Sequence, residues 1–96
     1  MSGKAITEWK IITCPVAGKK NAVQIVEMEL LPALKEAGIS AEMILTEWKG
    51  HATELAKQHG SETCGLIAVG GDGTIHEVMD GLLQDKKLKK TLAMVI

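Results

Sequence analysis

Most of the chemistry this sequence can offer lies in five consecutive residues, Gly70-Gly71-Asp72-Gly73-Thr74. Four apolar residues, Leu66 to Val69, lead into them, and Ile75, Val78, Met79, Leu82 and Leu83 follow at helical spacing. The pattern is that of a buried strand, a tight turn and a helix. Glycine is needed where a backbone turns with positive φ or lies against a ligand, and a helix start presents N–H groups that have no intrahelical acceptor. Such a turn attracts an anion, phosphate above all. An aspartate inside an anion site makes sense when a divalent cation is held between the two charges. Gly70, Gly71, Asp72, Gly73 and Thr74 therefore read as a metal-nucleotide site with Asp72 as its organising charge.

Two other glycine motifs do not fit. A dinucleotide fingerprint requires a third glycine where this chain has His76, and a Walker loop requires Gly-Lys-Ser/Thr, whereas Gly18-Lys19 is followed by Lys20. An ordinary strand-to-helix connection shares the glycines; Asp72 and the helix behind it set this turn apart. Gly70-Gly71-Asp72-Gly73-Thr74 followed by Glu77-Val78 and Gly81-Leu82 resembles the signature of the diacylglycerol kinase catalytic domain family, which includes sphingoid-base and ceramide kinases. The shorter Gly-Gly-Asp-Gly-Thr pattern is also similar to NAD kinases and phosphofructokinases.

The resemblance implies further contacts along the chain. Cys14-Pro15-Val16-Ala17-Gly18 stands where the family has Asn-Pro-x-Ser-Gly, a loop implied to contact nucleotide phosphates; Cys14 and Ala17 replace an amide and a hydroxyl, leaving backbone donors. Thr46-Glu47-Trp48-Lys49-Gly50-His51-Ala52 is similar to the family's Thr-Glu-x-x-x-His-Ala segment, in which the threonine is implied to reach the nucleotide. Read on chemistry alone, Thr46 is a strand-end hydroxyl bonding its own backbone and His51 a helix-start residue without a ligand role. Glu77 is implied as a second polar contact, although a carboxylate in the first helical turn also suits the helix dipole. The implied reaction is transfer of the γ-phosphoryl group of ATP to a lipid hydroxyl, diacylglycerol or a sphingoid base, with Mg²⁺ bridging the phosphates. Asp72 is implied to organise the metal-nucleotide, directly or through water; in some relatives the matching aspartate is proposed as the base. His76 receives no role, since Asp80 four residues on suits a surface pair.

Alternating strand and helix patterns must position these residues. Residues 9–14 read as a first strand ended by Pro15, which cannot donate to a ladder. Val23, Val26, Leu30, Leu34 and Ala37 mark a helix over 21–37 that Gly38 can cap. Pro32 predicts a kink or break near Leu30 and Leu31, because an interior proline costs roughly 3 kcal/mol. Glu27 and Glu29 read as a solvated face. Residues 39–46 alternate as a strand near an edge, Ala52, Leu55 and Ala56 give a short helix closed by Gly60, and 91–96 form a fourth apolar strand. The expected fold is an α/β three-layer sandwich around a mostly parallel sheet, which the resemblance specifies as the NAD kinase/diacylglycerol kinase-like N-terminal nucleotide-binding domain. Ligands in such sheets sit beyond the carboxyl ends of the strands.

Residues 1–96 read as one domain, 46% hydrophobic with a formal net charge of −1 and two Trp as the only aromatics besides histidine. Neither a basic face nor stacking aromatics in number suggests nucleic acid. Without a membrane-length apolar run or a signal-peptide core, the expected location is cytoplasmic. The lysine-rich run 84–90 reads as a solvated segment, with peripheral membrane contact as its alternative. Cys14 and Cys64 lack metal-ligand spacing and are expected as free thiols. Because continuous apolar strands are normally covered on both faces, the end at Ile96 suggests an incomplete domain, and the resemblance implies that the absent part is a second domain that supplies lipid binding. By itself such a chain is expected to be inactive toward lipids and to self-associate. Rival readings are a non-catalytic nucleotide-binding or interaction fragment, and a piece of a NAD kinase or phosphofructokinase-like enzyme.

Overall fold

A computed structural model of the chain describes residues 8–15, 22–59, 65–85 and 90–95. The apolar runs become four strands: β1 (Glu8–Thr13), β2 (Ser40–Leu45), β3 (Gly65–Gly70) and β4 (Lys90–Val95). All neighbouring pairs are parallel, in the order β2-β1-β3-β4. The alternating strand β2 lies at the sheet edge, as its pattern predicts. β3, buried along its whole length, lies inside.

Between the strands run α1 (Ala22–Ile25), a π-helical turn (Val26–Leu30), α2 (Leu31–Glu36), α3 (His51–His59) and α4 (Asp72–Asp85). The register Ile12 to Ile44 and Ala68 puts these three on one face, and Ile11 to Met43 and Ile67 puts those on the other. On the first face Ile12, Leu66 and Ala68 pack with Ala52, Leu55 and Ala56 of α3 and Val78 and Leu82 of α4. On the second, Ile11, Ile67 and Val69 pack with Ala22 and Val26, joined by Leu30, Leu31 and Leu34. The result is the expected three-layer sandwich. The chain crosses one way from β1 to β2 and then twice the other way, to β3 and β4. Crossovers of a single hand then require the connecting helices to change faces once, after β2, and they do.

The helix expected over 21–37 is continuous within its described residues, 22–36, and is not broken. It widens: Leu31 N–H bonds the Val26 carbonyl five residues back, and Pro32 sits in the first turn of α2. A proline has no N–H for the carbonyl four residues before it, and its ring presses on that group. A single π turn ahead of the proline relieves both, so the expected kink takes this form. Gly38, at φ +79°, closes α2 as expected, with Ile39 N–H bonding Leu34 O at 2.8 Å and Gly38 N–H bonding Lys35 O at 3.0 Å. Gly81 has a different task. A Cβ there would run into the Thr53 carbonyl and stand 3.0 Å from Ala56 Cβ, so its absence lets α4 lie close on α3.

The sequence-based boundaries move by a residue: Cys14 follows β1 instead of ending it, and β4 starts at Lys90. Gly60, Cys64 and residues 86–89 of the lysine-rich run lie outside the described residues.

Candidate functional site

The carboxyl ends of β1, β2 and β3 are tied to one another beyond the sheet proper. Cys14 N–H donates to Val69 O at 3.1 Å, and Thr46 N–H donates to Thr13 O at 2.9 Å. Three loops therefore leave the sheet side by side. The first turns toward α1, on the face opposite α3 and α4, which places the switch in winding direction between β1 and β3. A cavity of about 430 Å³ opens here, within the range of small-molecule sites. Among its walls are Cys14 and Pro15 after β1, Thr46 after β2, and Gly71, Gly73, Thr74 and Glu77 at the start of α4.

The glycine turn is built differently from its sequence reading in one respect. Positive φ occurs at Gly70 (+156°) and not at Gly71 or Gly73. A Cβ on Gly70 would stand 2.7 Å from Thr74 Oγ1 and 3.4 Å from Cys14 Cβ, so the end of β3 needs glycine for conformation and space alike. Gly73 lies within the first turn of α4, and a Cβ there meets nothing within 4 Å. It is an open place on the cavity wall and not a strained one, so of the two reasons a turn needs glycine only the close approach of a ligand is left for Gly73.

Gly71 acts as the N-cap of α4, its carbonyl accepting from Thr74 N–H at 3.1 Å and Ile75 N–H at 3.3 Å. Having no side chain, it offers no cap to the first N–H groups of the helix, those of Asp72 and Gly73. These donors, with the positive end of the helix dipole, suit an anion entering from the cavity. Asp72 is exposed between two glycines that line the cavity, without itself being part of the wall. Val16, Ala17 and Gly18 lie outside the described residues. Thr13 is fully buried at the end of β1, and its hydroxyl has no partner among the described residues. His76 and Asp80 are both exposed. Cys14 is a free, half-buried thiol, as expected.

Loop 46–50 is held from several sides. Glu77 Oε2 accepts from Gly50 N–H at 3.2 Å, and Thr53 Oγ1 donates to Glu77 O at 2.8 Å, so α4 grips the start of α3. Gly50 has φ +93°, which a side chain would oppose, and its carbonyl accepts from Thr53 N–H at 3.2 Å as α3 begins. His51 Nδ1 accepts from Glu47 N–H at 2.9 Å, and its ring stacks on Trp48. His51, read from the sequence as a helix-start residue, thus organises the loop. Glu47, Trp48 and Lys49 also line the cavity. Sequence reasoning set Glu47 beside Thr46 in the crevice but gave Trp48 and Lys49 no role; the available signal was a tryptophan in a polar loop directly after a strand.

A divalent cation can be tested against this donor set. Among the described residues no cluster of three or more His, Cys, Asp or Glu could enclose a metal. The exposed Asp72 carboxylate beside the uncapped start of α4 fits Mg²⁺ that arrives with a nucleotide, since that ion commonly takes one or two carboxylates along with substrate phosphates.

The diacylglycerol kinase catalytic domain matches residues 8–96. The chain belongs to this family. Its curated relatives include sphingosine kinase 2 of Homo sapiens, 36% identical over 87 residues, and sphingoid long-chain bases kinase 1 of Arabidopsis thaliana, 35% identical over 95 residues. Sphingosine kinase 1 of Mus musculus is 40% identical over 76 residues. These matches cover 90%, 97% and 77% of this chain but 13%, 12% and 20% of the respective relatives, so the chain spans a fifth or less of their length. The crystal structure of a diacylglycerol kinase from Bacillus anthracis str. Sterne superposes with a TM-score of 0.75 over 94% of this chain and 33% of that one, at 22% identity, a likeness of fold. Membership in this lipid kinase family sets aside the NAD kinase and phosphofructokinase readings. Among the described residues no helix is long and apolar enough to cross a membrane.

Proposed function

We propose that this chain is the ATP-binding portion of a lipid kinase that moves the γ-phosphoryl group of ATP to a lipid hydroxyl. The observation that carries the proposal is the convergence of three strand-end loops on one cavity whose wall includes the uncapped start of α4. A sphingoid base is the acceptor favoured by the names of the curated relatives. Diacylglycerol is the second reading, favoured by the family that matches the chain.

Phosphoryl transfer requires holding and charge stabilisation more than covalent participation by the protein. The N–H groups of Asp72 and Gly73 hold phosphate oxygens, and the absence of side chains at Gly71 and Gly73 lets those oxygens approach the backbone. Cys14 and Pro15 close the same cavity from β1, and the Thr46 hydroxyl offers a polar contact from β2. Asp72 would hold Mg²⁺, directly or through water; the ion, when bound with ATP, neutralises developing phosphate charge. Glu77 keeps loop 46–50 in place while facing the cavity.

The test uses an intact polypeptide carrying the chain, radiolabelled ATP and vesicles bearing sphingosine, diacylglycerol or ceramide. Asp72→Asn is expected to leave the thermal melt unchanged and to lower transfer by on the order of 10²-fold or more, because it removes the metal-organising charge. Near-normal turnover with the same Mg²⁺ requirement would remove Asp72 from the role. Absence of transfer to every lipid would overturn the kinase reading itself.

A further inference from the structure

Trp48 is the largest apolar side chain facing this site, yet 53% of it is exposed. A tryptophan that contributed to the core would be covered, and the hydrogen bonds holding loop 46–50 use backbone groups that any residue supplies. The indole is nevertheless fixed. It lies on the His51 imidazole with centroids 3.7 Å apart and planes 15° from parallel. His51 is itself held by the Glu47 N–H at 2.9 Å and gives its own N–H to Trp48 O at 3.1 Å. Gly50 on the same loop is anchored to Glu77. An aromatic surface immobilised in advance and left open toward a cavity loses little freedom when a flat ligand settles on it.

Resting on the nucleotide reading of the site, we propose that Trp48 is its base-binding residue, a stacking platform for the purine ring of the nucleotide. The glycine turn addresses only phosphates, through backbone groups blind to the base. Trp48 and the start of α4 wall the same cavity, so one ligand with an aromatic ring and a phosphate chain meets both. His51 backs the platform, and Glu77 fixes its position through Gly50. Stacking discriminates poorly between bases, since every base has a π face. The site therefore distinguishes nucleotides from bare polyphosphates more sharply than it distinguishes ATP from GTP.

Calorimetric titration with Mg·ATP and with Mg·tripolyphosphate, which has no base, separates the two halves of the site. Trp48→Ala is expected to weaken Mg·ATP roughly tenfold or more while leaving Mg·tripolyphosphate within about twofold of the parent protein. Trp48→Phe, which keeps a ring on His51, is expected to recover most of the loss. In a Trp9→Phe background Trp48 is the single indole of residues 1–96, and its fluorescence is expected to change with Mg·ATP and not with Mg·tripolyphosphate. That readout needs no change at Trp48. Equal weakening of both ligands in Trp48→Ala would show that the residue only props the loop, and unaltered Mg·ATP affinity or a silent fluorophore would also overturn base stacking. If the parent protein bound neither ligand, the nucleotide site itself would fall, and the platform with it.

Discussion

At the level of single residues, the turn divides its glycines between two tasks. Gly70 serves the backbone: φ is +156° and a Cβ would collide with Thr74. Gly73, under the proposed nucleotide reading, serves the ligand: its backbone is helical and the space beside it is open. Gly70→Ala is accordingly expected to lower the unfolding free energy by about 1–3 kcal/mol, through strain and steric displacement. Gly73→Ala should leave stability unchanged or raise it by up to ~1 kcal/mol, as alanine replaces glycine in a helix. Its Mg·ATP affinity should fall, because the methyl group occupies the approach to the helix start. Denaturant titration and calorimetry on both variants check the division; equal destabilisation with unaltered affinity would refute it. The sequence marked the whole turn as special but not which glycine did what. Three glycines in four positions look alike until the path of β3 into α4 is known, and that path depends on Thr74 folding back toward Gly70.

At the level of elements, the site depends on α4 gripping the start of α3. The Glu77 carboxylate accepts from Gly50 N–H at 3.2 Å across 27 residues of chain. Glu77→Ala leaves that half-buried N–H without its acceptor and is expected to cost about 1–3 kcal/mol, whereas Glu77→Gln keeps an oxygen in place and should cost under about 1 kcal/mol. Denaturation midpoints of the two variants decide it; equal losses would mean that charge and not the hydrogen bond matters. Helix existence was readable from the apolar spacing of Val78 and Leu82, and so was the helix carrying Ala52 and Ala56, the second of which lies against Gly81. The Glu77–Gly50 contact was not. It depends on how closely two helices approach, which no local period encodes, and the sequence reading could only offer Glu77 as a ligand contact or a dipole partner. Pro32 was a half-legible case: the conflict it creates is local, but a widened turn and a break are both solutions to it.

Across the whole molecule, the end of the sheet away from the site carries charge. Lys10 pairs with Glu42 across β1 and β2 and with Glu8 at 3.1 Å. The hydrogen bond from Lys10 holds the Glu42 carboxyl below its ordinary range, and the bond to Glu42 raises the Lys10 ammonium above its own. A depressed carboxylate stabilises the fold above its unfolded value, and that contribution disappears as pH falls through the folded one; a raised ammonium stabilises below its unfolded value, with loss as pH climbs through the folded one. The pair therefore contributes across the neutral range and fades at both extremes. Glu42→Gln is expected to lower Tm slightly near pH 7, with the gap closing below the carboxylate range and again at strongly alkaline pH; a pH-independent gap would refute the linkage. High salt should narrow the gap at pH 7, the pair being exposed. The three-layer architecture itself was readable because continuous apolar runs demand cover on both faces, as β3 shows, and the alternating β2 identified itself as an edge. Strand order was not spelled out by any residue; it emerges from which faces the helices cover.

The position of β1 between β2 and β3 has a consequence for synthesis on the ribosome. β1 leaves the exit tunnel before either neighbour, and Thr13 finds its partner in Val69, 56 residues later. At ordinary elongation rates that is an interval of a few seconds. During it the edge of Trp9, Ile11 and Ile12 that β3 will later occupy is available to any passing strand, including one from a neighbouring nascent chain. Codons that slow translation between β1 and β3 would lengthen that exposure, so the yield of folded protein should respond to synonymous changes there, although the finished molecule is the same.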